Sequence, residues 1–305
     1  MCVPTNRKTT KTSRITRRSA ISKTIAISGA LGTIPQAIGR VLAAEAGLEV
    51  DTLLEGGTIV DGSGAPPFVG NVALRGDKIV AVGPVAAPKA TKRIDCGGLF
   101  VAPGFCDAHT HCDRTVVVPK RRQNTPYIMQ GVSTVVTGSC GLGPKNVEKY
   151  LQQIEQHPPG TNVAHLAAYG PIRQIAMKNA IRRPTKIEMA TLREETKLAM
   201  QAGAIGLSTG LAYEWNSHAD IDEVTEVCKV VANHQGLYAT HIRNEGNRLV
   251  EAIDEALAIG RRAELPVHIS HFKAAGKPNW NRMGEAIERI EKARESGQRV
   301  TADQY

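Results

Sequence analysis

The chain has 305 residues, 42% of them hydrophobic and 22% charged. That is ample material for a core, so a disordered chain is excluded, and the length suits one large domain with a smaller one. The formal charge of +9 would suit an anionic partner, but eight of the Lys and Arg fall in residues 1–46 against one acid, Glu45. The basicity belongs to a leader, and no nucleic-acid surface follows from it.

In that leader Arg17 and Arg18 precede Lys23, a mildly apolar run follows at 25–41, and Ala44-Glu45-Ala46 is a small-x-small pattern. This is the n-region, h-region and cleavage-site order of an export signal, and the paired arginines make it twin-arginine type. Pro35 and Arg40 interrupt the run, which is too weak for a membrane span. A disordered basic tail is the alternative. The first reading places the protein in the periplasm or outside the cell, the second in the cytoplasm. The six cysteines show no regular spacing and no C-x-x-C pair, so a disulfide framework is not expected.

Residues 47–100 read as short strands with tight turns. Thr58-Ile59-Val60 meets Asp61-Gly62-Ser63-Gly64, and two alternating runs flank Arg75-Gly76-Asp77. A small antiparallel sheet is expected, the N-terminal part of a β-sandwich. From residue 99 the rhythm becomes strand, then helix. Strands are expected at 99–105, 133–137, 162–168, 204–208, 237–241, 266–271 and 299–303, with helices at 187–201, 221–234, 248–262 and 283–295. Such alternation implies a parallel sheet, and this many units favours a (β/α)8 TIM-like barrel over an open sheet. The count of about seven strands makes the barrel, residues 101–305, an incomplete one, with strands one and seven as open edges.

In such barrels chemistry sits where the strands end. Strand one runs into Asp107, His109 and His111, which alternate and would share one face of an extended chain. A bare His-x-His is also read as two ordinary polar residues. Strand two ends at Cys140, strand five at His241 and strand six at His271. Four imidazoles and a thiol on one rim suit Zn²⁺. The remaining histidines, His165 and His268 among them, read as ordinary polar residues. Cys96, Cys106 and Cys228 read as small core residues.

Several segments are then familiar: Pro103-Gly104-Phe105-x-Asp107-x-His109-Thr110-His111; the run from Gly131 through Thr137-Gly138-x-Cys140-Gly141; Gly206-Leu207-Ser208-Thr209-Gly210-Leu211-x-Tyr213; Thr240-His241-Ile242-Arg243-Asn244-Glu245; and Ser270-His271-x-Lys273. From about residue 50 onward the chain resembles the N-acyl-D-amino-acid deacylases (D-aminoacylases) of the amidohydrolase superfamily. The cysteine on strand two is the discriminating mark, because hydantoinase-like relatives use a carboxylated lysine instead. The resemblance implies zinc-dependent hydrolysis of N-acyl-D-amino acids to a carboxylate and a D-amino acid. It implies a tight zinc on Cys140, His241 and His271, a second, weaker metal position lined by His109 and His111, and Tyr213 and Lys273 holding the substrate's α-carboxylate. The family's acid–base Asp, at the end of strand eight, has no counterpart here. No catalytic residue is therefore assigned, and a truncated copy of impaired activity is expected. After Tyr213 the family's Pro-Gly turn is replaced by Glu214-Trp215-Asn216-Ser217, and Tyr169 stands where the family often has a histidine. Two other readings stay open: another amidohydrolase, dihydropyrimidinase-like or a D-peptide hydrolase, and a non-catalytic zinc-binding fragment. The expected partner is a small molecule, with no nucleic acid and no stable membrane span. The preferred side chain and the oligomeric state are open.

Overall fold

The structure, a computed structural model, describes residues 49–84, 89–178 and 180–305. The leader expected at 1–46 lies outside the described residues. The chain divides into two compact units between Pro103 and Gly104.

The first unit is a single five-stranded sheet built on β1 (Glu49–Ile59), with β2 (Phe68–Arg75), β3 (Lys78–Gly83), β4 (Lys89–Asp95) and β5 (Phe100–Val101). The meander β1-β2-β3 is antiparallel, as expected. The sheet as a whole is mixed, because β4 and then β5 take the other edge of β1 and run parallel to it. Both edges of β1 are thereby paired, which leaves no open ladder on its longest strand. Alternating side chains of these strands, Val50, Leu53, Ala73 and Ala81, form the unit's small core.

The expected first barrel strand, 99–105, is two strands. Phe100 and Val101 pair with Thr58 and Ile59 in the small sheet. Pro103, which has no N–H to give a ladder, stands at the break. The barrel sheet begins with β6 (Phe105–Asp107). Cys106, expected in a core, is exposed there, on a strand with one neighbour in its sheet.

The second unit is a seven-stranded sheet in sequence order, all parallel, that curls as half a barrel. After β6 come α1 (Thr125–Ile128), β7 (Val132–Thr137), α2 (Val147–Gln156), β8 (Asn162–Ala168), α3 (Tyr169–Met177), α4 (Lys186–Ala202), β9 (Gly206–Gly210), α5 (Glu214–Ser217), α6 (Ile221–Ala232), β10 (Leu237–His241), α7 (Leu249–Ala263), β11 (Val267–Ile269), α8 (Met283–Glu295) and β12 (Val300–Ala302). The helices start where the sequence supplies caps. Thr185 and Glu188 make a reciprocal capping box on α4, and Asp220 accepts from the backbone of Asp222 and Glu223 on α6. The ninth strand lies two residues later than the sequence suggests. Ala204 and Ile205 are spent leaving α4, and pairing with Leu166–Ala168 on one side and Leu237–His241 on the other sets the register.

The main core lies between the sheet and α4, α6 and α7. Leu192, Leu207, Val224, Val227, Tyr238, Leu249, Ile253, Ile259 and Ile269 are all fully buried in it. Each side chain of this size contributes about 1.5–3 kcal/mol of burial energy. No helix among the described residues is long and apolar enough to cross a membrane. Leu207 sits on a central strand, so Leu207→Ala is expected to cost about 2–5 kcal/mol, read as a lower urea midpoint with an unchanged slope.

Candidate metal centre

The site forms where the parallel strands end together. Past Thr137, the last residue of β7, the chain enters a tight turn at Ser139–Gly141. Gly138 has φ +81, and a side chain there would collide with the Leu166 carbonyl oxygen, 2.0 Å from its Cβ. Cys140 itself holds a left-handed φ of 56, a conformation that costs a non-glycine residue about 1–3 kcal/mol. Side chains from two other segments offset that strain. Asp113 accepts from the Gly138 N–H at 2.6 Å. Ser208 accepts from the Gly141 N–H at 3.0 Å and donates to the Gly138 carbonyl. The turn is fixed so that the thiol, almost fully buried, points at the neighbouring strand ends.

Three imidazoles face it. From the Cys140 Sγ it is 3.3 Å to His109 Nε2, 3.6 Å to His271 Nε2 and 3.9 Å to His241 Nδ1. Carboxylates stand behind two of these rings, and that behind His109 fixes its tautomer, because a carboxylate only accepts. His109 Nδ1 lies 3.0 Å from Asp303 Oδ2, and His271 Nδ1 lies 2.7 Å from Glu245 Oε1. The His109 ring therefore carries its proton on Nδ1 and turns the bare Nε2 toward the thiol, and His271 likewise presents its Nε2 to the sulfur. Burial holds the third, His241, near pKa 4 and hence neutral at pH 7. The Cys140 thiol is pushed up to about 12, first by burial and then by the charges of Asp303 and Glu245. A thiolate forms there only with a compensating cation.

These donors fit zinc. A tetrahedral shell with bonds of about 2.0–2.3 Å spaces its donors roughly 3.4–3.7 Å apart, and the thiol-to-imidazole distances bracket that range. Among the described residues two triples have donor atoms all within 4.8 Å of one another: His109, Cys140 and His271, and His241, Glu245 and His271. The resemblance had grouped Cys140 with His241 and His271. In the structure His109 comes nearest the sulfur, because Asp303 aims it there.

His111 reaches the neighbourhood of His109 by a bend and not by strand alternation. The strand stops at Asp107 and the chain bends through 108–109, so the alternation that would put His109 and His111 on one face does not persist. The His111 ring is exposed, 5.3 Å from that of His109, and belongs to neither triple. Lys273 lies at the rim, its Nζ 2.6 Å from Glu245 Oε2 and 3.3 Å from His271 Nδ1. The Tyr213 ring packs 4.5 Å from that of His241.

Three participants escape a reading of the sequence. Asp303 is one: besides His109 it accepts from His268 Nε2 at 2.8 Å and from the His271 backbone N–H at 2.5 Å. Burial alone would raise its pKa, but these three donors hold the carboxyl far below the usual carboxylate range. His268 is the second, joined to this network through Asp303 and Thr301. Glu245 is the third. Burial raises its pKa, and the contacts with His271 and Lys273 more than reverse this, keeping it ionised. Glu245 stands in a segment without periodicity. The link between His268 and Asp303 exists only through the register of β11 with β12. Carboxylates behind ligand imidazoles typically change metal affinity 10- to 100-fold. Cys140→Ser is therefore expected to abolish tight zinc binding, and Asp303→Asn to weaken it about tenfold or more, with folding retained. Both are checked by competition against a chromogenic chelator.

The amidohydrolase family profile matches residues 92–304. The chain is 39% identical over 278 residues to a D-aminoacylase of Alcaligenes xylosoxydans xylosoxydans, an alignment covering 84% of this chain and 57% of that protein. A solved D-aminoacylase described for its binuclear metal centre aligns at 38% identity with a TM-score of 0.81, covering 84% of this chain and 58% of that one. The N-acyl-D-glutamate deacylase of Bordetella bronchiseptica, solved with zinc and a phosphonate mimic of the tetrahedral intermediate, aligns at 32% identity with a TM-score of 0.80, covering 85% and 59%. The chain thus spans a little over half the length of the relatives it matches. With the profile covering most of its residues and a metal-type donor cluster at the strand ends, the chain belongs to the amidohydrolase family.

Proposed function

We propose that this protein hydrolyses N-acyl-D-amino acids, cleaving the amide C–N bond to give a carboxylate and a D-amino acid. One observation carries the reading: a buried thiol with three imidazole nitrogens 3.3, 3.6 and 3.9 Å from its sulfur, beside the Lys273 ammonium. Relatives at 32–39% identity are a D-aminoacylase and an N-acyl-D-glutamate deacylase, which supports the substrate class.

Cys140, His109, His241 and His271 would hold a tight zinc. The second, weaker position expected beside His109 and His111 would rest on the exposed imidazole of His111. The chemistry zinc supplies when bound is polarisation of an amide carbonyl and activation of water near neutral pH. The chain's own residues set the geometry. Lys273 offers its ammonium to the substrate's α-carboxylate, with the Tyr213 phenol as a second contact. Glu245 grips Lys273 and His271 together, so the substrate's anionic end and the donor cluster keep a fixed separation. Orientation of this kind is worth orders of magnitude in rate. Asp303, ionised at neutral pH, orients His109 and has no proton to give a departing amine.

The test is an assay of the zinc-loaded chain against N-acetyl-D-amino acids and hydantoins. Cleavage of the first alone is expected, with loss on chelation and recovery with zinc. Zinc binding without turnover of any N-acetyl-D-amino acid would sink the reading. Lys273→Ala is expected to raise KM about 10- to 100-fold, the worth of a hydrogen bond to a charged group, with a smaller change in kcat.

Export by the twin-arginine route is part of the same proposal, resting on Arg17 and Arg18 ahead of an apolar run and Ala44-Glu45-Ala46. Replacing both arginines by lysine is expected to leave the protein in the cytoplasmic fraction, with its leader uncleaved on an immunoblot.

A further inference from the structure

The geometry points to Tyr213 and Trp215 as an aromatic ledge that receives the substrate's amino-acid side chain and selects a neutral apolar one over an acidic one. The inference rests on the deacylase reading above and adds a specificity to it. The Trp215 indole stacks on the Tyr213 ring, centroids 4.7 Å apart and planes 21° from parallel. Tyr213 in turn packs against His241. The ledge therefore begins at the donor cluster and runs outward from it. Trp215 remains 42% exposed, a large apolar surface left in water beside reactive groups.

The backbone that carries this indole is held from several sides. Asn216, fully buried, accepts from the Gly210 N–H at 3.1 Å and donates to the Trp215 carbonyl at 3.0 Å. Arg243 donates to the carbonyls of Ser217 and Ala219, both at 2.6 Å, while Glu255 grips its guanidinium at 2.9 Å. Beneath the ring, the second residue of α3 is Gly170, where a Cβ would stand 3.0 Å from Trp215 Cδ1, so the indole lies directly on backbone. A surface immobilised in advance loses little entropy when a ligand covers it.

Charge decides which side chain suits it. Among the described residues, the ion pairs at the cluster contain one Lys or Arg, Lys273. Arg243 is spent on Glu255 and the two carbonyls. One ammonium matches the α-carboxylate common to all N-acyl amino acids. A second carboxylate, on an aspartyl or glutamyl side chain, would meet aromatic faces and Glu245 instead of a base, and would lose hydration without a partner.

The experiment has two arms. In the Trp280→Phe chain, Trp215 is the sole tryptophan, since the protein has two. Its fluorescence is expected to quench saturably with N-acetyl-D-phenylalanine and not with N-acetyl-D-aspartate at the same concentrations. Equal quenching by both, or none by the first, overturns the ledge whether or not the chain turns over substrate. In the kinetic arm, Trp215→Ala is expected to cut kcat/KM for N-acetyl-D-phenylalanine about tenfold, through KM, as loss of an apolar contact does. N-acetyl-D-alanine should change less than about twofold, and Trp215→Phe should retain most of the preference. A uniform loss across substrates, or a wild-type preference for N-acetyl-D-aspartate, overturns the proposal. A wild-type chain that cleaves none of them defeats the deacylase reading alone, and the quenching arm still decides the ledge.

Discussion

A buried thiol with bare imidazole nitrogens turned toward it is the constraint on which the site is built. Cys140 is nearly inaccessible to water, and negative charge from Asp303 and Glu245 surrounds it. Its anion is unfavourable there unless a cation stands among the same groups. The strained turn that presents the sulfur is held by Ser208 and Asp113, side chains from separate segments. The fold thus spends hydrogen bonds to place a group that is useful only with a partner ion.

The imidazoles owe their aim to carboxylates standing behind them. Asp303 turns His109 and also caps the His271 backbone, so one group just past the last strand ties together the segments that follow β6 and β11. Glu245 performs the same service for His271 and extends it to Lys273. Asp303 fixes the His109 tautomer that a metal would need. Lys273 neutralises part of the charge of Glu245. Arg243, two residues before Glu245, pairs with Glu255 and braces the chain that follows Tyr213 and Trp215 through the carbonyls of Ser217 and Ala219. The motif from Thr240 to Glu245 therefore serves the donor cluster through His241 and Glu245 and the aromatic segment through Arg243.

Much of the architecture was legible in the residues. Helices α4, α6, α7 and α8 announce themselves by amphipathic spacing and by caps such as Thr185 and Asp220, and they form within one or two residues of expectation. Period-two alternation marked β2 and β3. Harder to see was the division of 99–105 between two sheets, since both halves look like strand and only the partners differ. The parallel pairing of β4 with β1 left no local mark either, because strand direction is set by where the connecting chain crosses, not by composition. The reason His109 and His111 lie near each other was not legible either: alternation implies a shared face only while the backbone stays extended, and here it bends after Asp107.

The sequence by itself determined the fold class, the strand-then-helix order and the choice of thiol and imidazole donors. Those depend on residue type and on spacing within about ten positions, which local backbone geometry converts into faces and ends. Only the tertiary structure decided which histidine sits nearest the sulfur, that Asp303 and Glu245 stand behind the rings, and that Trp215 is braced beside them. Each of these joins atoms from strands far apart in the chain, and such contacts arise from register and curvature of the sheet, to which no single stretch of residues gives access.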